Sequence, residues 1–313
     1  MACRAAGHSD KVRGMPFTQT VLEKLYRSPG EFVSRAEAPE EALAELAGLG
    51  YVIETHPHWG VRLLQSPDRL MAEDLQARLR TRVIGREVLV FEETASTNDV
   101  VAQLAQADRA EGTVVFAESQ TRGRGRHGRS WVSPRGKGLW FSVLLRPTFP
   151  ISRLTVAAAV AVVRTVGSSA RIKWPNDVMW DGKKLAGILT EARGNVAILG
   201  VGLNVNGKSE DYPAIATSLE MATGKAQDRV GLAVRLLAEI EDYYRKARDD
   251  FNSVSREWAN HCTTLGKQLI VTMGPRRLEG QAYALDENGA LILRRDNGQT
   301  ERILGADVTV EHG

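Results

Sequence analysis

The order of apolar and polar positions along the chain first predicts two short helices followed by a hairpin. Apolar residues recur at helical spacing over 17–27 and 39–49, and the segment 51–64 then alternates like a β-hairpin. The residues predicted to point inward from these helices are Val21, Leu22, Leu25, Leu43, Leu46 and Leu49. Helices followed by such a wing predict a winged-helix-like domain over 15–80, after a disordered tail over 1–14.

The pattern then changes twice. Over 84–264 helical periods alternate with strands, which predicts an α/β (α+β) domain. Its predicted strands cover 86–92, 112–120, 138–147 and much of 171–206, and its predicted helices begin at Ser96, Ile151 and Arg229. From about Gly266 onward, short strands alternate with Glu-Asn-Gly and Asp-Asn-Gly turns. That texture predicts a small SH3-like β-barrel over 265–313.

Composition narrows the class of protein. The 313 residues carry a formal net charge of +3, which marks the whole chain neither as a nucleic-acid binder nor as a membrane binder. Two cysteines indicate a reducing compartment. The N-terminus has no apolar signal-peptide core, and the longest apolar run, Leu154–Val163, is too short to span a bilayer. A cytoplasmic protein without a membrane segment is expected.

Charge is concentrated in the middle of the chain. From Ser119 to Asn176 there is no Asp or Glu, although the same stretch holds eleven basic residues. It begins with a loop, SQTRGRGRHGRSW, that contains four arginines and three glycines over 119–131. Positive charge that no nearby acidic residue offsets concentrates anionic ligands when it lines a cleft. The stretch therefore predicts an anion site that begins at this glycine-arginine loop.

Three interpretations of the loop differ in what surrounds it. The letters GRGRHG fit the dinucleotide pattern G-x-G-x-x-G, but no helix and no acidic residue follow as that motif requires. A disordered RGG-type RNA-binding segment would be repeated, whereas this loop is a single copy between two strands. A mobile loop that folds over a small anion fits best, because glycines let backbone N–H groups approach oxygens and arginines donate in pairs.

Further clusters follow in a fixed order. They are STN at 96–98, KWPNDV at 173–178, KKLAGILTE at 183–191 and GVGLNVN at 200–206. Each alone is compatible with a helix cap, a turn or a strand end. Together with GRGRHGRSW they resemble the biotin protein ligase family from about Arg86 to the C-terminus. The resemblance implies a catalytic domain similar to class II aminoacyl-tRNA synthetases and lipoate ligases, with the arginine loop separating it from the lipoate enzymes.

The resemblance implies a two-step reaction in the presence of Mg²⁺. Biotin and ATP first give biotinyl-5′-AMP and pyrophosphate. A lysine of a biotin carboxyl carrier domain, as in acetyl-CoA carboxylase, then attacks the mixed anhydride and releases AMP. No protein nucleophile is needed, and two anions must be neutralised together, which agrees with the basic loop.

Site residues are implied by the matching motifs. Lys184 and Arg126 are implied as catalytic, with Lys184 touching both the biotin carboxylate and the α-phosphate and Arg126 retaining the intermediate. The residues implied to bind biotin are Ser96, Thr97, Asn98, Gln120, Arg124, Gly125, Arg126 and Lys184. The residues implied to bind ATP are Arg124, Arg126, Arg129, Trp131, Asn176, Asn204 and Lys184, with Asp177 as a candidate Mg²⁺ contact.

The N-terminal stretch departs from the DNA-binding members of the family. Its candidate recognition segment, RAEAPEEALAELAGL, holds one arginine against four glutamates, a charge that a phosphate backbone repels. DNA binding is therefore disfavoured, and a ligase that is also a biotin-responsive repressor is the second hypothesis. A ligase for another acid, such as lipoate, is the third. Exposed strands of the central sheet would allow a homodimer.

Overall fold

The chain is described by a computed structural model that covers residues 16–273, 275–304 and 307–310. The predicted tail over 1–14 lies outside these residues. The chain divides into two compact units, the first ending at Arg80 and the second beginning at Thr81. Within the described residues, every helix is too short or too polar to cross a membrane.

The smaller unit packs three helices and one hairpin around an apolar core. Its elements are α1 (Pro16–Arg27), α2 (Glu40–Gly48), β1 (Val52–His56), β2 (Gly60–Gln65) and α3 (Ala72–Arg78). The inward residues predicted for α1 and α2 are buried, except that Leu49 is 41% exposed. The prediction for Leu49 was wrong: it caps α2 with a helical backbone just after Gly48, but its side chain lies beyond the buried part of the apolar stripe. The helix α3 was not predicted.

The larger unit is built on a seven-stranded sheet in the order β3-β4-β5-β9-β8-β7-β6. Its strands are β3 (Val88–Phe91), β4 (Val114–Ala117), β5 (Gly138–Leu145), β6 (Arg171–Lys173), β7 (Asp177–Trp180), β8 (Lys183–Arg193) and β9 (Val196–Asn204). Only the β3–β4 pair is parallel among the described strand pairs of this sheet. The interior strand β5 is buried along its whole length, in keeping with its apolar sequence.

Helices cover this sheet and fix its loops. They are α4 (Thr97–Gln106), α5 (Ile151–Val166), α6 (Leu219–Thr223), α7 (Arg229–Asp249) and α8 (Phe251–His261). The apolar pattern predicts a helix over 151–166, and α5 has these bounds. It is buried against α7, α8 and β8, as its alanine and valine content indicates. The short helix α6 and the helix α8 were not predicted from the sequence.

A second sheet closes the C-terminal end of the larger unit. Five antiparallel strands lie in the order β13-β12-β11-β10-β14. They are β10 (Gln268–Met273), β11 (Arg276–Leu285), β12 (Leu291–Arg294), β13 (Thr300–Ile303) and β14 (Asp307–Val310). The turn before β12 contacts the start of α5, where Arg153 Nε donates to the Glu287 carbonyl at 2.8 Å. The prediction of a small, turn-rich β domain is confirmed at the level of an antiparallel sheet.

Candidate active site

A cavity of about 480 Å³ lies where the glycine-arginine loop meets the ends of α4, β7, β8 and β9. Every site residue named from the sequence lines it: Ser96, Thr97, Asn98, Gln120, Arg124, Gly125, Arg126, Arg129, Trp131, Asn176, Asp177, Lys184 and Asn204. Residues separated by up to about a hundred positions therefore meet around one space. The roles assigned to them remain predictions.

The glycine-arginine loop forms a narrow hairpin. Gly125 N–H donates to the Arg129 carbonyl at 2.6 Å, and Trp131 N–H donates to the Gly123 carbonyl at 2.8 Å. Its tip turns through a short 3₁₀ segment in which His127 has φ +54° and Gly128 has φ +72°. The left-handed backbone explains a glycine at 128, because a side chain is strained there.

Trp131 closes one face of the cavity from the end of the hairpin. Its indole lies over Gly187 of β8 and Gly202 of β9. A Cβ built on Gly202 would stand 2.5 Å from the indole Cε2, so a larger residue would displace the ring. The ring also faces the predicted catalytic lysine, whose Nζ lies 5.2 Å from the ring centroid.

Polar side chains at the start of α4 form a hydrogen-bonded group with Gln120. The Thr97 N–H donates to Gln120 Oε1 at 2.9 Å, and Gln120 Nε2 donates to Ser133 Oγ at 2.9 Å. The buried Ser142 hydroxyl on β5 lies 2.7 Å from Thr97 Oγ1 and 2.6 Å from Asn98 Oδ1. Ser96 is the N-cap residue of α4 but makes no side-chain cap hydrogen bond.

Lys184 is held at both its backbone and its side chain. Its N–H donates to the Ile215 carbonyl at 2.8 Å, and its own carbonyl accepts from Thr217 N–H at 2.9 Å. Its Nζ lies 2.6 Å from Asp177 Oδ1. The buried Asn204 donates from Nδ2 to the Thr217 carbonyl at 2.8 Å, so the same segment fixes two predicted site residues.

Arg126 and Asn176, both predicted to bind the nucleotide, lie close together in the cavity. Arg126 Nη1 lies 3.4 Å from Asn176 Oδ1, while Asn176 Nδ2 donates to the Ile188 carbonyl at 2.8 Å. Arg129 is exposed at the end of the hairpin. No cluster of three or more His, Cys, Asp or Glu side chains suited to a metal occurs in the described part of the chain. A single carboxylate, Asp177, is compatible with Mg²⁺ that arrives bound to nucleotide phosphates.

Arg124, which was predicted to bind an anionic ligand, is already paired with two carboxylates of the protein. Its Nη2 lies 2.7 Å from Asp99 Oδ1 and 3.2 Å from Glu191 Oε2. The hydrogen bond from Arg124 holds the pKa of the Asp99 carboxyl below its usual value. Glu191 also accepts from Asn98 Nδ2 at 2.5 Å.

Sequence reasoning missed several parts of this site. The acidic partners Asp99 and Glu191, the buried Ser142, and the two glycines beneath Trp131 were not singled out. The spacing of Gly200 and Gly202 on β9 was a usable signal, since glycines at alternate strand positions clear one face of a sheet. Lys173, Tyr212 and Ile215 also line the cavity.

Two family profiles and several known proteins are similar to this chain in sequence. Residues 90–207 match the profile described as Biotin/lipoate A/B protein ligase family, and residues 264–310 match the profile described as Biotin protein ligase C terminal domain. A protein of Bacillus subtilis named Bifunctional ligase/repressor BirA is 35% identical over 283 residues, covering 85% of this chain and 87% of that protein.

Two further relatives are similar over shorter parts of the chain. A Mycobacterium tuberculosis protein named Biotin--[acetyl-CoA-carboxylase] ligase is 35% identical over 259 residues, which is 77% of this chain and 97% of that protein. A solved structure, a biotin protein ligase from Aquifex aeolicus in complex with biotin and ATP, is 28% identical with a TM-score of 0.64 and covers 73% of this chain and 100% of that one. The chain therefore belongs to the biotin protein ligases of the biotin/lipoate A/B protein ligase family.

Proposed function

We propose that this cavity joins biotin to AMP and then passes biotin to a lysine of a biotin carboxyl carrier domain, as in acetyl-CoA carboxylase. The observation that carries the proposal is the convergence of Lys184, Arg126 and the α4 polar group on one cavity. A hydrogen-bonding end suits an uncharged ureido head group. A cationic end suits the meeting of a carboxylate with a phosphate.

In the first step, a biotin carboxylate oxygen bonds to the α-phosphorus of ATP, and the bond from that phosphorus to the bridging oxygen breaks to release pyrophosphate. Two anions approach each other, so the barrier is largely electrostatic. Lys184, with Nζ 2.6 Å from Asp177, lies where it would exchange this carboxylate for the ligand oxygens. Mg²⁺ travels with the triphosphate, and Asp177 is the residue that would face it.

In the second step, a neutral acceptor amine attacks the acyl carbon of biotinyl-5′-AMP. The carbon–oxygen bond to phosphate breaks, AMP leaves, and the amine loses one proton. The protein contributes by holding the mixed anhydride in a water-poor space under the hairpin. Trp131, flat on two glycines, provides an apolar wall for this purpose.

The domain assignment forms part of the proposal. We take 15–80 as winged-helix-like, 84–264 as catalytic and 265–313 as SH3-like, in a cytoplasmic protein. DNA binding is disfavoured because α2 carries Glu40, Glu41 and Glu45 and no basic residue, and Arg35 just before it pairs with Glu40. A homodimer would use an outer strand of the large sheet, such as β3.

The relatives named ligase/repressor keep the second hypothesis open to a direct test. Fluorescence anisotropy with the operator region of the chain's own biotin genes, in the presence of biotin and MgATP, would detect a repressor. We expect only weak binding that sequence changes do not alter and that 0.2 M salt abolishes. Tight, sequence-dependent binding would overturn this part of the proposal.

The ligase itself is tested by biotin-dependent pyrophosphate release and by biotin transfer to a carrier domain. Lys184→Ala should lower the first rate about 100-fold or more, the size of effect seen when an electrostatic group at a reaction centre is removed. Lys183→Ala is the matched control, since Lys183 is exposed on the neighbouring position of β8 and does not line the cavity. Activity with lipoate or octanoate and none with biotin would establish the third hypothesis instead.

A further inference from the structure

Two carboxylates from different elements meet one arginine of the hairpin. Asp99 belongs to α4 and Glu191 to β8, and both lie within 3.2 Å of Arg124 Nη2. The three side chains are 44%, 25% and 28% exposed, so the ion pairs are partly shielded from water. An anionic ligand of Arg124 would meet the negative charge of two carboxylates that already neutralise this arginine. This arginine is therefore poorly suited to be a ligand of the phosphate.

The ion pairs that fix Arg124 also fix the hairpin to which it belongs. Arg124 pairs across the hairpin with Ser130, and the flanking hydrogen bonds join Gly123 to Trp131 and Gly125 to Arg129. The arm that carries Arg124 thus cannot lift without taking Trp131 with it. Ion pairs to α4 and β8 tie this arm to the walls of the cavity.

Glu191 connects the hairpin to the polar group on α4. The oxygen that lies near Arg124 also accepts from Asn98 Nδ2 at 2.5 Å, and Asn98 contacts the buried Ser142. The hairpin and the proposed ureido contacts are therefore positioned by one carboxylate on the strand that bears Lys184.

We propose that Asp99 and Glu191 are positioning residues that hold the hairpin shut through Arg124 and so set how long the intermediate is retained. The inference rests on the proposed function, because the retained molecule is biotinyl-5′-AMP. It gives two arginines of the loop different roles: Arg124 closes the hairpin, and Arg126 keeps the proposed role of contacting the ligand.

Release of the intermediate is the direct measurement. Radiolabelled biotinyl-5′-AMP is formed on the full-length protein and chased with excess unlabelled biotin and MgATP. Partly exposed ion pairs are worth up to about 1 kcal/mol, so Asp99→Asn or Glu191→Gln should each speed release about threefold to fivefold. The double variant should speed it about tenfold. Glutamine keeps the acceptor for Asn98 while it removes the charge.

Controls distinguish the loss of the Arg124 ion pairs with Asp99 and Glu191 from a general disturbance of the protein. Single-turnover formation of the intermediate should change by no more than about twofold, and Asp99→Glu should release at the unmodified rate. Salt should speed release from the unmodified protein and have little effect on the double variant, because screening acts on the ion pairs. Arg135→Ala, which removes an exposed pair with Glu92 outside the cavity, should change nothing.

A second readout needs no ligase activity. Hydrogen exchange of the 119–131 amides in the ligand-free protein should be faster in the double variant than in the unmodified chain or Arg135→Ala. Unchanged release of the intermediate and unchanged hydrogen exchange would overturn the proposed role of Asp99 and Glu191 while leaving the proposed ligase function intact. Absence of biotin-dependent pyrophosphate release from the unmodified protein would overturn the proposed function. Hydrogen exchange alone would then show whether Asp99 and Glu191 hold the hairpin shut.

Discussion

The indole of Trp131 rests on the bare backbone of Gly202, with no room for even one methyl group between them. Gly187 pairs with Gly202 across β8 and β9, and a Cβ there would stand 2.9 Å from the indole Cζ3. Two adjacent glycines thus form a flat floor on which the aromatic ring can lie. Because protein interiors are tightly packed, the ring position depends on both of them.

Gly202→Ala should therefore displace the Trp131 indole from its position on Gly187 and Gly202 and open the hairpin. We expect adenylation efficiency with biotin to fall about tenfold or more, at a cost of about 1–3 kcal/mol in the free energy of unfolding, as for other overpacked sites. Steady-state kinetics and urea denaturation measure the two effects. Gly48→Ala is the control, since no atom lies within 4 Å of its Cβ position in α2 and activity should stay unchanged.

The buried ion pair of Glu118 and Arg229 should be essential to the fold near Gln120. Arg229 Nη1 lies 2.8 Å from Glu118 Oε2, and the side chains are 5% or less exposed. Removing one charge leaves the other buried and uncompensated, so Glu118→Gln or Arg229→Met should each destabilise by about 3–5 kcal/mol. Denaturant midpoints give the values. The double variant Glu118→Leu with Arg229→Met should be more stable than Glu118→Leu alone or Arg229→Met alone. A loss equal to the sum of those two single losses would contradict this.

Acid should weaken the contact between Asp99 and Arg124 only at low pH. Arg124 keeps the pKa of Asp99 below the usual value of about 3.9, with Arg122 and Arg193 adding attraction and Glu191 sharing the site. A depressed folded pKa means that ionised Asp99 stabilises the fold above the unfolded pKa and that this contribution disappears as pH falls through the folded value. The difference in urea midpoint between the unmodified protein and Asp99→Asn should thus be constant from pH 8 to about 5 and shrink below about 4.

A double-mutant cycle isolates that contribution. In an Arg124→Gln background, Asp99→Asn should have a much smaller pH-dependent effect on the urea midpoint, because the main partner that lowers the pKa of Asp99 is gone and only the weaker attraction of Arg122 and Arg193 remains. A difference that keeps the same pH dependence in this background would assign the lowered pKa to other groups.

The larger unit should fold and form biotinyl-5′-AMP when it begins at Thr81. Glu241 of α7 accepts the backbone N–H groups of Arg82, Val83 and Ile84 at 2.7, 2.7 and 2.8 Å, which fixes the first residues of this unit. A fragment 81–313 should release pyrophosphate within about twofold of the full chain. A fragment 86–313 lacks these donors and the buried Ile84, so its Tm should fall by about 5 °C or more. Equal melting temperatures would contradict the importance of the Glu241 contact.

Local periodicity was enough to predict most elements. The helix α5 is buried over the range that its apolar pattern indicated, whereas Leu49 continues the pattern of α2 but is exposed at the end of that helix. The cavity residues were found through the order of motifs in the family resemblance. Glu191 ends one of those motifs, but its pairing with Arg124 alongside Asp99 could not be found that way, because the two carboxylates are 92 positions apart and meet Arg124 only when α4 and β8 come together. Pairing across such distances is a property of the folded chain.

Lys184 uses both of its backbone hydrogen-bonding groups on the segment Ile215–Thr217. Its main chain is therefore fixed before any substrate arrives, and only the outer atoms of its side chain must be ordered during the reaction. If Lys184 acts as proposed, much of the entropy of placing its charged amine beside the ligands is lost during folding and need not be lost again in each turnover. The main chain of Lys184 is in this sense preorganised, and under the proposed mechanism the 215–217 segment, remote in sequence, would contribute to the rate through this lysine.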